Sequence, residues 1–230
     1  MDATEVFGVL KGIGATHLHH ANSVTTSCTF LEQGCLASRG FVQDRNLKQT
    51  PQTSDGIDQK YGIWHRVFVD HVDIHDRAGR VKGPNHYGPV LFVLDLDVLL
   101  ELPEGSKVLV TKKNPVYWRN EEPDGARWFQ NQEELAASLH YGDFDKMLVI
   151  QTPSGKLDFP NRIAQIILDN PQRKVSSGQD AYTYAEDRLK KAAKTGQVQV
   201  SIIPRTCRYG CTCVQKYAGW DPGRNDFYFT

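Results

Sequence analysis

Imidazole and carboxylate side chains crowd two short stretches, THLHHAN with His17, His19 and His20, and DHVDIHD from Asp70 to Asp76. On a strand, alternate residues share a face. His71, Asp73 and His75 then point one way, flanked by Asp70 and Asp76, and such a set suits a metal-dependent nuclease or hydrolase. The spacing matches no specific zinc motif. The same alternation sets His17 and His19 on one face and His20 on the other, so those three do not converge on one metal from a single strand. Near the end of the sequence CRYGCTC brings Cys207, Cys211 and Cys213 within seven residues, dense enough for a thiolate cluster on a hairpin. Structural zinc takes four ligands, and the candidate fourth, Cys28, Cys35 or a histidine, is remote in sequence. The plainer alternative is a turn with small buried thiols that behave as apolar residues, and no metal is assigned. There is no phosphate-cradling P-loop, no GxSxG, and the two glycines of VLKGIGA do not complete a dinucleotide fingerprint.

The elements that must position these residues are mostly short and β-rich. Strand patterns run over Ala15 to His20, Arg66 to Ile74, Pro89 to Val98, Lys107 to Thr111, Lys146 to Gln151, Ala164 to Leu168 and Gln197 to Ile203. They alternate irregularly with helices, which points to an α+β fold and not to a doubly wound sheet. Helix patterns cover Asn22 to Gln33, closed by Gly34; Asn131 to Leu139; and Asp180 to Lys194, which reads as a surface helix stopped at Gly196. The polar stretch from Ser38 to Tyr61 reads as a long loop of the kind used as a lid or substrate-binding segment. A second polar stretch, Asp76 to Gly88, carries three glycines.

The stretch LHHANSVTTSCTFLEQG resembles the first motif of the ADP-ribosyltransferase superfamily, in its poly(ADP-ribose) polymerase and DarT branches. The family frame is Leu-x-His, a small residue and a polar one, then a helix ending Ile-Leu-x-x-Gly-Leu. Here it runs Leu18, His20, Ala21, Asn22, then Phe30, Leu31 and Gly34, with Leu36 one place late. Ser38 and Arg39 in CLASRGF are similar to the Ser-Arg that follows in DarT-like proteins. YGIWHRVFVD sits where the family stacks aromatic residues on nicotinamide, offering Tyr61, Trp64 and Phe68, and YGPVLFVLDLDVLLEL resembles the long strand after it.

The resemblance implies a split β-sheet core binding NAD as substrate over residues 1–170, with residues 171–230 as a helix-and-hairpin extension. It implies that His20, Asn22, Arg45 and Phe68 hold NAD, and that Arg39, Tyr61 and the start of a late strand complete the catalytic site. That strand carries a glutamate in the family, in a context like Ala-Glu-Val-Leu-Val. In DFDKMLVIQ the matching position is read as Lys146, whose cation opposes the positive charge that develops on the ribose. Three readings follow: a shifted alignment with Asp145, Asp143 or Gln151 near the true position, an inactivated enzyme, or a non-catalytic relative. The implied reaction is ADP-ribose transfer to a nucleic-acid base of DNA or RNA, as in toxin and phage-defence proteins, with an antitoxin protein as a partner. Arg39 and Arg45 would hold phosphate, and the loop from Gly40 to Lys60, with Arg45, Lys48 and Lys60, would meet the acceptor.

Composition sets the bounds. A chain of 230 residues buries one sizeable core. Lysine plus arginine balance aspartate plus glutamate at 27 each, so no global field draws it to nucleic acid or anionic lipid, which leaves a local groove as the means of recognition. No run reaches the roughly 20 apolar residues of a membrane span. With no signal-peptide pattern at MDATEVFGVLKG and an odd five cysteines, the expectation is a soluble cytoplasmic protein without a disulfide framework.

Overall fold

The computed structural model describes residues 1–76, 83–143, 145–159, 163–207 and 209–230. Part of the polar stretch from Asp76 to Gly88 therefore lies outside the described residues. The chain order is α1 (Ala3–Gly12), β1 (His17–Asn22), α2 (Val24–Gln33), β2 (Cys35–Ala37), α3 (Arg39–Asp44), α4 (Asp55–Lys60) and β3 (Val67–Val69). There follow β4 (Val90–Asp95), β5 (Lys107–Val110), α5 (Asp124–Arg127), α6 (Gln132–Ser138), β6 (Leu148–Gln151), β7 (Lys156–Asp158) and β8 (Ile163–Leu168). The last elements are α7 (Ala181–Thr195), β9 (Ile202–Pro204), α8 (Cys213–Ala218) and α9 (Pro222–Phe229). The expected mixture of α and β is present. Among the described residues no helix is long and apolar enough to cross a membrane.

The largest sheet has the order β1-β4-β8-β9, antiparallel except for the final pair, where β9 runs parallel to β8. A second sheet, β3-β6-β5, is antiparallel throughout, and β2 pairs with β7. The first two sheets touch where His19 and Asp70 exchange backbone hydrogen bonds of 2.7 and 2.8 Å. That bridge turns the strand after Val69, so the expected run from Arg66 to Ile74 ends early and a 3-10 turn over Ile74–Asp76 takes its place. Among the described residues no strand follows β9 to make the expected hairpin. The chain passes through the cysteines into α8 and α9.

Local chemistry explains the helix ends. Ser23 caps α2 by accepting from the Thr26 amide, and Gly34 closes it in the left-handed region at φ 63°. Asp180 caps α7 through Thr183. α7 is not only a surface helix. Ala181, Ala185, Leu189 and Ala192 form a buried stripe at helical spacing, and the helix packs along α2. The core between these helices and the large sheet includes Leu10, Phe30, Leu31, Phe92, Leu94, Ile166 and Leu168. The stretch from Ser38 to Tyr61 is not a bare loop, since it holds α3 and α4. Between them the backbone is fastened to α2 by hydroxyls: Thr29 Oγ1 donates to the Lys48 carbonyl at 2.6 Å, Ser23 Oγ to Thr50 Oγ1 at 2.6 Å, and the Thr50 amide to Thr26 Oγ1 at 2.9 Å.

Candidate active site

A cavity of about 380 Å³ opens where β1, α3, α4 and β3 meet the start of β6 and the end of α9. That volume falls in the range of small-molecule and cofactor sites. Its floor depends on Gly88, at φ 143°, because a Cβ there would lie 2.3 Å from the Asn22 carbonyl carbon. Only glycine brings this backbone so close to the end of β1.

His20 enters the wall from β1, between Phe30 and Phe92 at ring separations of 5.6 and 6.5 Å. Burial pushes its pKa down to about 4; the Phe68 carbonyl opposes the fall and Arg39 adds to it. The ring is therefore neutral near pH 7. Its Nδ1 donates to the Phe68 carbonyl at 2.7 Å, which leaves Nε2 as an acceptor, met by the Asn22 amide at 3.3 Å. Asn22 is itself oriented, since its Oδ1 accepts from the Ser23 amide at 2.9 Å and from Gln52 at 3.4 Å.

Arg39 follows directly on the Ser38 cap of α3, and both line the cavity. The Arg39 guanidinium donates to Asp55 twice, through Nε at 3.0 Å and Nη2 at 2.7 Å. Nη1 is buried and has no hydrogen-bond partner among the described residues. A fixed, partly unsatisfied guanidinium beside a neutral histidine is a binding arrangement for an anion such as phosphate. Two carboxyls share the wall. Asp70 is pushed up to about 8 by burial and then by Asp73, and its Oδ1 has no partner among the described residues. Asp58 rises to about 7 through burial and then Asp55, with Arg39 pulling down. Both acids are held near the protonation boundary at neutral pH.

The structure brings together four of the residues named from the sequence: His20, Asn22, Arg39 and Phe68. It places four others outside the cavity wall. Arg45 is exposed and stacks over Phe41 at 3.8 Å. Tyr61 donates its hydroxyl to the Trp118 carbonyl at 2.7 Å and packs edge-on against that ring. Asp145 is exposed. Lys146 pairs with Asp143 at 2.6 Å and also donates to the Ser138 carbonyl. Because side chains alternate along an extended chain, the cavity receives the next residue, Met147. Lys146, the position read from the resemblance, thus faces away from the cavity. Of the other two stacking candidates, only Phe68 lines the cavity; Trp64 donates to Gln43 at 2.9 Å.

Sequence reasoning missed Asp58, Arg66, Tyr87, Met147, Phe227 and Tyr228, all in the wall, and noted Asp70 only as a flank of the metal candidates. Met147 was legible from strand alternation. Phe227 and Tyr228 arrive from α9, which nothing in the local pattern connects to this site. His71, Asp73 and His75 do not form a ligand set together. His71 Nε2 lies 3.2 Å from the His140 carbonyl, Asp73 pairs with Arg205 at 2.6 Å, and His75 turns to the cysteines.

One solved structure with a similar fold is Thermus sp. 2.9 DarT in complex with ADP-ribosylated ssDNA. The TM-score is 0.50 at 13% identity, over 83% of this chain and 94% of that one. The fold is DarT-like. A structure of Thermus sp. 2.9 DarT in complex with NAD+ gives a TM-score of 0.47 at 12% identity, covering 84% of this chain and 96% of that one. No protein-family model and no curated protein matches the chain. The DarT likeness extends to the mixed α+β architecture and its several sheets.

Proposed function

We propose that the cavity binds NAD and that the protein transfers ADP-ribose to a nucleic-acid base. The observation that carries this reading is the Arg39 guanidinium, clamped on Asp55 with Nη1 unsatisfied, in one wall with a neutral, oriented His20. Arg39 would meet the diphosphate, His20 and Asn22 a ribose, and Phe68 the nicotinamide face. The DarT-like fold supports the reaction type, since the DarT structure of that fold holds ADP-ribosylated single-stranded DNA.

In the proposed reaction the bond from ribose C1′ to the nicotinamide nitrogen breaks, and its electron pair leaves with neutral nicotinamide. A nitrogen of the acceptor base bonds to C1′ and gives up a proton. A carboxylate near the ribose favours the positive charge that develops and can take the proton. Met147 cannot do this. Asp70, buried in the same wall with Oδ1 unpartnered among the described residues, is the candidate for that role in its ionised form, and Asp58, with the lower pKa of the two, is the second acid within the cavity.

Met147 also favours a second reading, a module that binds NAD without turning it over. Incubation with NAD labelled in its adenylate half, together with single-stranded DNA, RNA or cell protein, separates the two. Label appearing on DNA or RNA supports transfer. Thermal stabilisation by NAD with no label on any acceptor, from both the natural chain and Met147→Glu, supports the module. Absence of any NAD effect in both assays sinks both readings.

A further inference from the structure

We infer that His75, Cys207, Cys211 and Cys213 form a structural zinc site that fastens α8 and α9 to the segment following β3. The four ligand atoms come from parts of the sequence more than 130 residues apart, yet all lie within 4.8 Å of one another. His75 Nε2 is 3.1 Å from Cys211 Sγ and 3.9 Å from Cys207 Sγ, and Cys207 Sγ is 3.0 Å from Cys213 Sγ. A tetrahedral zinc with bonds of about 2.3 Å to sulfur and about 2.0 Å to nitrogen spaces its ligand atoms by about 3.5–3.8 Å. The cluster brackets that spacing. Three sulfurs and one imidazole are a closed structural donor set, with no position left for water, and soft thiolates favour zinc over the oxygen-seeking cations.

A disulfide accounts for the group less well. The Cys207–Cys213 separation is well beyond the roughly 2.05 Å of an S–S bond, all five cysteines are free, and pairing two of the three would leave the third beside His75. The surroundings are built for a fixed site. The His75 amide donates to Asp73 Oδ1 at 3.0 Å, which holds the turn that presents the ring, and the Cys213 amide donates to Cys211 Sγ at 3.4 Å, as suits a thiolate. Beneath the sulfurs Arg205 joins Asp73 and Asp169, and Tyr217 of α8 donates to Asp169 at 2.5 Å.

The site has a consequence for the cavity. Cys213 opens α8, and α9 beyond it supplies Phe227 and Tyr228 to the cavity wall. Zinc would hold that wall in place while touching nothing inside the cavity.

The test is metal analysis of the full chain purified under reducing conditions without added chelator. One equivalent of zinc per chain is expected, retained in Cys28→Ser and lost in Cys211→Ser. Replacement by cobalt should give the visible d–d bands and the sulfur-to-metal charge-transfer absorption of a tetrahedral thiolate site. Removal of the metal should speed amide exchange over residues 213–230 and leave β4 protected. A chain that is folded yet holds no metal, takes up no cobalt and exchanges unchanged with chelator overturns the inference. So does a mass lower by two hydrogens that reduction restores. All of these readouts are independent of NAD, so the site stands or falls apart from the proposed reaction.

Discussion

The cavity and the cysteine cluster are fed by one segment and built on opposite principles. β3 and the residue after it bring Phe68 and Asp70 to the cavity wall, and five residues after Asp70 the same chain delivers His75 to the cluster. The cavity gathers side chains from many elements and, among the described residues, leaves polar atoms unsatisfied in its wall, at Arg39 Nη1 and Asp70 Oδ1. Around the cluster the charges close on one another through Asp73, Arg205, Asp169 and Tyr217. Unsatisfied buried groups cost stability, and a protein keeps them where a ligand will complete them. The proposed NAD site is the open region of the two, and the proposed zinc site is the closed one.

The sharpest way to break this contrast is Arg205→Met. Burial works against the Arg205 charge, but Asp169 and Asp73 outweigh it and raise its pKa, so removing the cation strands the buried Asp169 carboxylate and the partly buried Asp73. A loss of about 3–5 kcal/mol is expected in denaturant unfolding, with metal content falling alongside. Arg39→Lys probes the other region. Losing the two-pronged hold on Asp55 should lower ADP-ribosyl transfer by roughly 10²–10³-fold while zinc content stays unchanged; equal damage to both would dissolve the distinction. Met147→Glu places a carboxylate in the cavity wall, and a gain on the order of 10²-fold is expected. Lys146→Glu, one place earlier, should give none.

A subtler test uses pH. Asp70 and Asp58 have folded values of about 8 and about 7, above the unfolded value of about 3.9. Between those limits the folded chain keeps protons that the unfolded chain has released. Their contribution to stability therefore falls as pH rises from about 4 to about 8. Asp70→Asn removes one of these groups, so its stability relative to the natural chain should grow between pH 5 and pH 8, measured by urea unfolding at both. Had Asp70 been ionised throughout in the folded chain, the difference would stay flat. Smallest of all is Lys146→Ala, which breaks a partly exposed pair with Asp143 and should cost at most about 1 kcal/mol.

How much of this was legible depended on whether the signal was local. The caps Ser23 and Asp180 and the stop at Gly34 are written in adjacent residues, so α2 and α7 fell within a residue or two of expectation. The strand over Arg66 to Ile74 misled because its alternation continues past the point where the His19–Asp70 bridge bends the chain. That error placed His71 and His75 on one face. His20 and Asn22 reach the cavity wall together because both lie on β1, two residues apart and so on one face. Three ligands of the cluster were visible as CRYGCTC, while the fourth, His75, is set by tertiary folding across 132 residues from Cys207. The α9 contribution to the cavity has the same origin.

The hydroxyl fastening of the segment between α3 and α4 onto α2 bears on kinetics. Thr29, Ser23 and Thr26 hold Lys48 and Thr50 by hydrogen bonds that water can replace one for one, and Leu47 is the one apolar side chain there packed on the core. Such a segment opens locally at a small fraction of the global unfolding free energy. Pro51, Gln52 and Thr53 on this segment also line the cavity. Opening of this segment would uncover that part of the wall, and solvents that compete for hydrogen bonds should speed amide exchange at Thr50 before they loosen the sheet.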